Sequence, residues 1–105
     1  MKGYLVIFFT QRSRTHEGIP VSRWIIEAAK ELGARGATLL TGSEGLGHDG
    51  RLHMDNYFDL EDAPEQITMA LTAEECNKLL HLLKDSNLRV FYTRSEIEFG
   101  FTIEN

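Results

Sequence analysis

A four-stranded antiparallel sheet covered on one face by two helices, in the order βαββαβ, is the α+β fold class predicted for this chain. Three observations predict it. Two segments carry apolar residues at helical spacing, short β-branched and aromatic runs flank each of them, and one long polar segment separates the second such run from the third.

The elements follow in order. Tyr4–Thr10 is β-branched and aromatic without helical periodicity, which predicts a buried central strand. After a polar connection from Gln11 to Gly18, Pro20 suits a first helical turn. Trp24, Ile25, Ala28, Ala29 and Leu32 then recur at helical spacing, and Gly33 supplies a stop, giving a helix over about 19–33. The second strand spans roughly Ala37–Gly42. From Glu44 to about Glu65 the chain is polar and acidic, with Gly45, Gly47, Gly50 and Pro64. It reads as a long flexible loop, in part a strand extension. Gln66–Leu71 alternates as a third strand. Thr72-Ala73-Glu74-Glu75 is a capping box, and Cys76, Leu79, Leu80 and Leu83 line one face of a second helix over about 73–85. Leu88–Thr93 is the last strand, and Glu96–Phe101 reads either as a short strand or as an ordered tail.

This order is the split βαβ, ferredoxin-like sandwich, whose helices leave one sheet face uncovered. Tyr4, Phe8, Phe9, Phe91 and Tyr92 exceed what one covered face uses, so self-association through the open face is expected.

Composition narrows the function classes. A chain of 105 residues has room for one compact core, so residues 1–105 are expected to form a single domain. Its apolar runs are far shorter than the ~20 residues of a membrane helix, and no signal-peptide succession opens the chain. A cytoplasmic location is therefore expected. A single cysteine, Cys76, excludes an internal disulfide and falls on an apolar helix face, where a buried hydrophobe is expected. A net charge of −5 disfavours general nucleic-acid binding but leaves room for a local basic pocket for one small anion.

The segment Gly36-Ala37-Thr38-Leu39-Leu40-Thr41-Gly42-Ser43-Glu44-Gly45-Leu46-Gly47 is where a site is expected. Its glycines suit a turn or a backbone approaching a ligand. Arg12-Ser13-Arg14 and His16-Glu17 follow the first strand and stand either at a ligand cleft or in an exposed connection. His48, Asp49, His53 and Asp55 have the chemistry of divalent-metal ligands, but their spacing matches no compact metal motif, and a solvated polar loop is the competing reading. No nucleophile elbow, full P-loop or tight acid–base pair is present, so the chain is not expected to be an enzyme.

In element order, and in Gly36-Ala37-Thr38, Thr41-Gly42 and Gly45-Leu46-Gly47, the chain resembles the PII (GlnB-like) signalling superfamily, in particular its uncharacterised PII-like branch. The resemblance implies a homotrimeric regulator that binds adenine nucleotides in clefts between subunits. Its long loop would act on a transporter or metabolic enzyme, reaching a membrane only through such a target. It implies Thr38 near the adenine and the backbone N–H groups of Gly45, Leu46 and Gly47 facing phosphates. By position, Lys84, Arg89 and Arg94 stand in for the family's basic residues. The effector implied is ATP, ADP or AMP, with or without Mg. The chain departs from the family in His48-Asp49, where members carry Arg-Gln, and in Lys84–Arg89, which replaces a glycine-rich connection. Tyr57 falls in the loop that carries a modifiable tyrosine in some members. Two further readings stand beside this one: a divalent-metal-binding homotrimer of the ion-tolerance type, using His48 and His53, and an interaction module without a ligand.

Overall fold

The computed structural model describes residues 1–42, 44–46, 52–54 and 62–104. Its principal sheet is built from β1 (Lys2–Gln11), β4 (Thr38–Thr41), β7 (Pro64–Thr72) and β8 (Phe91–Glu98). They lie in the order β4-β7-β1-β8, and every adjacent pair is antiparallel. Two helices, α1 (Val21–Glu31) and α2 (Ala73–Asp85), complete the predicted ferredoxin-like α+β order. Two small hairpins stand outside it: β2 (Thr15–His16) with β3 (Ile19–Pro20), and β5 (Glu44–Leu46) with β6 (Leu52–Met54).

Strand alternation separates the two faces. Val6 and Phe8 of β1 pair with Met69 and Ile67 of β7, and all four are buried beneath the helices with Val21, Ile25, Ala28, Cys76 and Leu79. Residues directly opposed across an antiparallel pair share a face. The other face therefore carries Leu5, Ile7 and Phe9 of β1, Phe91 of β8 and Leu40 of β4, with Phe91 and Leu40 52% and 53% exposed. The five aromatic residues divide accordingly. Tyr4, Phe8 and Tyr92 belong to the helix side, whereas Phe9 and Phe91 stack on the open side with ring centroids 5.6 Å apart.

Both helices stop by the same device. After α1, Gly33 has φ 87°, its N–H donates to the Lys30 carbonyl, and the Ala34 N–H donates to Ala29. After α2, Asn87 takes φ 56°, with its N–H on Lys84 and that of Leu88 on Leu83. These are Schellman closures, and asparagine fills the left-handed position in the connection that lacks glycine. At the start of α2 the predicted capping box is present: Glu75 N–H donates to the Thr72 hydroxyl at 3.2 Å and Thr72 N–H to Glu75 Oε1 at 2.9 Å.

Three boundaries differ from expectation. Ile19 and Pro20 belong to β3, so α1 begins at Val21 with Pro20 as its N-cap residue. Leu88 is not a strand residue. It is buried as the hydrophobic member of the α2 closure, and β8 runs to Glu98, absorbing part of the expected tail. Pro64 and Glu65 belong to β7 rather than to the long loop.

Candidate site at the loop end of the sheet

The strand directions give the sheet two distinct ends. At one end, β1 and β4 finish and β7 and β8 begin, so the segment between Gly42 and Asp62 leaves and returns there. Gly42 N–H donates to the Pro64 carbonyl at 2.8 Å, and Arg12 N–H to Ala63 at 3.0 Å, which fixes both feet of that segment on the sheet.

A tight turn follows β1 at this end. Arg14 N–H donates to the Gln11 carbonyl at 3.1 Å, closing Gln11-Arg12-Ser13-Arg14 as a β-turn. Ser13 Oγ donates to Asp62 Oδ1 at 2.8 Å, tying the turn to the returning foot of the loop. The Arg14 guanidinium donates to the backbone carbonyl of Arg89, 75 positions along the chain. Continuing the β1–β8 register past Phe9↔Phe91 brings Gln11 level with Arg89. The Arg14 side chain is thereby tied to the segment between α2 and β8, and among the described residues Arg12, Arg14 and Arg89 have no carboxylate partner. The hairpin β2–β3 follows, turning through Glu17 at φ 53° and Gly18 at φ 81°, with the His16 ring edge-on to Trp24 at 6.0 Å.

Beneath this end lies a buried polar pair. Thr10 and Glu65 face each other across β1 and β7, 8% and 6% exposed, and Thr10 Oγ1 has no hydrogen-bond partner among the described residues.

The sequence-predicted site residues occupy several places. Thr38 opens edge strand β4 opposite Thr68, exposed and on the open face. Gly45 and Leu46 lie in β5, where Gly45 pairs with His53 and Leu46 with Leu52 of β6. Gly47, His48 and Tyr57 lie outside the described residues. Lys84 lies in the last turn of α2, its carbonyl accepting from the Asn87 N–H. Arg89 precedes β8, and Arg94 lies on it opposite Val6, on the helix side. Its guanidinium stacks 4.5 Å from the Tyr4 ring centroid, with Nη1 3.8 Å from Cys76 Sγ. That thiol contact, with the nearby tyrosines, pushes the Arg94 pKa above its ordinary value.

Thr38 and Arg94 thus sit on opposite edges and opposite faces, three strand spacings or about 14 Å apart. One chain does not bring them together. Among the described residues no group of three or more His, Cys, Asp or Glu side chains converges as a metal site, and the proposed ligand His48 lies outside them. Among the described residues no helix is long and apolar enough to cross a membrane.

The contact of Arg14 with Arg89 was not legible in the sequence, because it joins a turn and a helix exit by tertiary packing alone. Its only sequence trace was the pair of arginines after the first strand.

Comparison with known proteins agrees with this architecture. The nitrogen regulatory PII-like protein CPII of Thiomonas intermedia K12, bound to ADP, AMP and bicarbonate, superposes with a TM-score of 0.72 at 17% identity, over 99% of this chain and 93% of that one. Its apo form gives 0.60 at 15% identity, over 92% and 90%. A candidate PII-like signalling protein of Thermus thermophilus gives 0.60 at 16% identity, over 91% and 86%. No curated protein shows significant similarity to the chain. The family DUF190, described as "Uncharacterized ACR, COG1993", matches residues 3–99. The chain therefore belongs to the DUF190 family, and its fold is that of the PII-like proteins.

Proposed function

We propose that this protein is a non-enzymatic PII-like regulator that binds an adenine nucleotide, ATP, ADP or AMP, with or without Mg, in clefts between copies of the chain. The observation that carries this reading is the separation of Thr38 on β4 from Arg94 on β8, at opposite sheet edges. A pocket using both is completed only when the β4 edge of one copy meets the β8 edge of another. The ligands of CPII, a protein of the same fold over nearly its whole length, supply the nucleotide class. The exposed Leu40 and Phe91 supply apolar surface for association, and a homotrimer is the assembly proposed. Ligand binding would order the segment 44–65 and so bias its docking on a transporter or metabolic enzyme in the cytoplasm.

The test is a melting-temperature panel on metal-stripped protein with ATP, ADP, AMP, bicarbonate and divalent metals, each alone and with Mg. A nucleotide present at 100 times its Kd stabilises the native state by about 2.7 kcal/mol, raising the melting temperature by roughly 10 °C or more. Titration calorimetry on Gly47→Asp should then show binding abolished with the oligomer intact. A panel without any nucleotide response would sink the reading, and a response to metals alone would replace it with the metal-binding one.

A further inference from the structure

We infer that Thr10, Glu65 and Ser22 enclose a binding site for an internal water molecule, set between the sheet and the start of α1 beneath the two feet of the segment between Gly42 and Asp62. The inference goes beyond the nucleotide reading and does not rest on it.

The helix side of the sheet leads to this site row by row. β1 buries Val6, Phe8 and Thr10 in turn, and β7 opposes them with Met69, Ile67 and Glu65. Two of these rows are apolar and belong to the core. The third is polar and still more than nine-tenths buried at both Thr10 and Glu65, and Thr41 of β4 extends it on the far side of Glu65. Val21 N–H donates to the Arg14 carbonyl at 3.0 Å, which fixes the start of α1 beside the turn that follows β1. From there α1 packs back across β1 and β7, so its first turn, where Val21 and Ser22 are buried, covers the polar row. A seryl hydroxyl is thereby brought from the helix to a threonyl hydroxyl and a carboxylate on the sheet.

Thr10 Oγ1 is the atom that calls for a ligand. It can donate and accept, it is buried, and among the described residues nothing bonds to it. A buried polar atom without a partner carries its full desolvation cost, which folded chains relieve with ordered water. Glu65 narrows the choice. Its carboxylate when ionised only accepts, and among the described residues no cation pairs with it. An anion at this place would be repelled by that carboxylate. A metal ion would need more ligands of its own kind, and among the described residues no three His, Cys, Asp or Glu side chains converge. It would also meet the positive end of α1, whose first N–H groups no side chain caps. Water suits every partner at once, because it donates to the carboxylate and accepts from a hydroxyl or a helix N–H.

The site lies where the long segment is anchored. Arg12 N–H bonds to the Ala63 carbonyl and Gly42 N–H to that of Pro64, each within two positions of Thr10, Thr41 or Glu65. A bridging water joins β1, β7 and α1 there through hydrogen bonds that can be remade after a small shift of either foot. The apolar rows below cannot shift without opening a cavity.

Magnetic relaxation dispersion of the solvent water tests this on the full chain, because it registers waters that stay inside a protein longer than the protein takes to tumble. Thr10→Val and Thr10→Ser are compared with the parent, and urea unfolding is measured beside it. Thr10→Val is expected to lose one long-lived water and to fold with an equilibrium constant roughly tenfold smaller, since the water and Glu65 both lose a partner. Thr10→Ser is expected to keep the water and to stay within roughly threefold of the parent. A parent without any long-lived water, or a Thr10→Val protein whose relaxation profile matches the parent's, overturns the site. In the second case removal of a dry, unpartnered hydroxyl would leave the protein as stable as before or more so. Should Thr10→Val fail to fold, a crystal structure of the parent decides. An ordered water within hydrogen-bonding distance of Thr10 Oγ1 upholds the site, and a void there, or a bond from Thr10 to protein atoms alone, overturns it.

Discussion

The two ends of the sheet solve the same problem of terminating four strands in opposite ways. At the end where the chain termini meet, polar groups are tied to one another. Met1 and Phe99 exchange backbone bonds, with Phe99 N–H on the Met1 carbonyl at 2.8 Å and the Met1 ammonium on the Phe99 carbonyl at 2.7 Å. Arg35 joins Glu75 of the capping box while lying 5.0 Å from the Phe99 ring centroid. At the loop end the Arg14 guanidinium donates to the Arg89 carbonyl, and among the described residues Arg14 has no carboxylate partner and the buried Thr10 hydroxyl has no hydrogen-bond partner. Closed networks serve stability, and unneutralised charge gathered by tertiary contacts is where recognition is found. One end is closed by its own hydrogen bonds and ion pair, and the other carries the feet of the segment between Gly42 and Asp62.

Substitutions at the terminal end should therefore cost stability and leave binding alone. The largest effect is expected at Gly3, where an added Cβ would run into the carbonyl oxygen of Leu71 and lie 2.8 Å from Thr72 Cα. Gly3→Val should lose about 3 kcal/mol or more in urea unfolding. A cost below about 1 kcal/mol would mean that β1 and β7 separate more easily than their register indicates.

Next comes Glu75. Burial pushes its carboxyl up, but the Thr72 N–H and the Arg35 guanidinium outweigh burial and hold it below the usual carboxylate value. A group with a depressed folded pKa stabilises above the unfolded value and loses that contribution as pH falls through the folded one. Stability should thus decline as pH drops below about 4.3, and the decline should be shallower in Glu75→Gln. At pH 7, Glu75→Ala should cost about 1–2 kcal/mol. Matching pH profiles for parent and Glu75→Gln would remove the carboxylate from the account.

The smallest effect sharpens the comparison at the loop end. Asn87→Ala places an ordinary residue at φ 56° and should cost about 1 kcal/mol. Asn87→Gly should stay within about 0.5 kcal/mol of the parent. Equal stability of all three would show that the closure of α2 is held by the buried Leu88 alone.

Features written in contiguous residues were legible beforehand. Thr72 and Glu75 form the capping box that their spacing announces, Gly33 stops α1, and Cys76 is buried on the apolar face of α2. The division of the aromatics between two faces needed the register, because Phe8 and Phe9 are neighbours in sequence and part company only through strand alternation. Leu88 misled because an apolar residue before a β-branched run looks like a strand start, yet it serves a helix closure. The hairpin through Glu17-Gly18 was hidden because its strands have only two residues each. At the site, the positions in the 36–47 segment were set out by resemblance. The tie between the Arg14 guanidinium and the Arg89 carbonyl depends on contact between segments distant in the chain, which no local pattern encodes.

The two open edges of the sheet carry a consequence for solubility. β4 and β8 are the outer strands of the four-stranded sheet, so each offers an edge on which another copy can be added. Joining unlike edges either closes into a ring or propagates as a fibre. Here the short β4 and the charges Arg94, Glu96 and Glu98 along β8 oppose indefinite growth. Those charges act as gatekeepers, and a variant that neutralises them is expected to aggregate more readily than the parent.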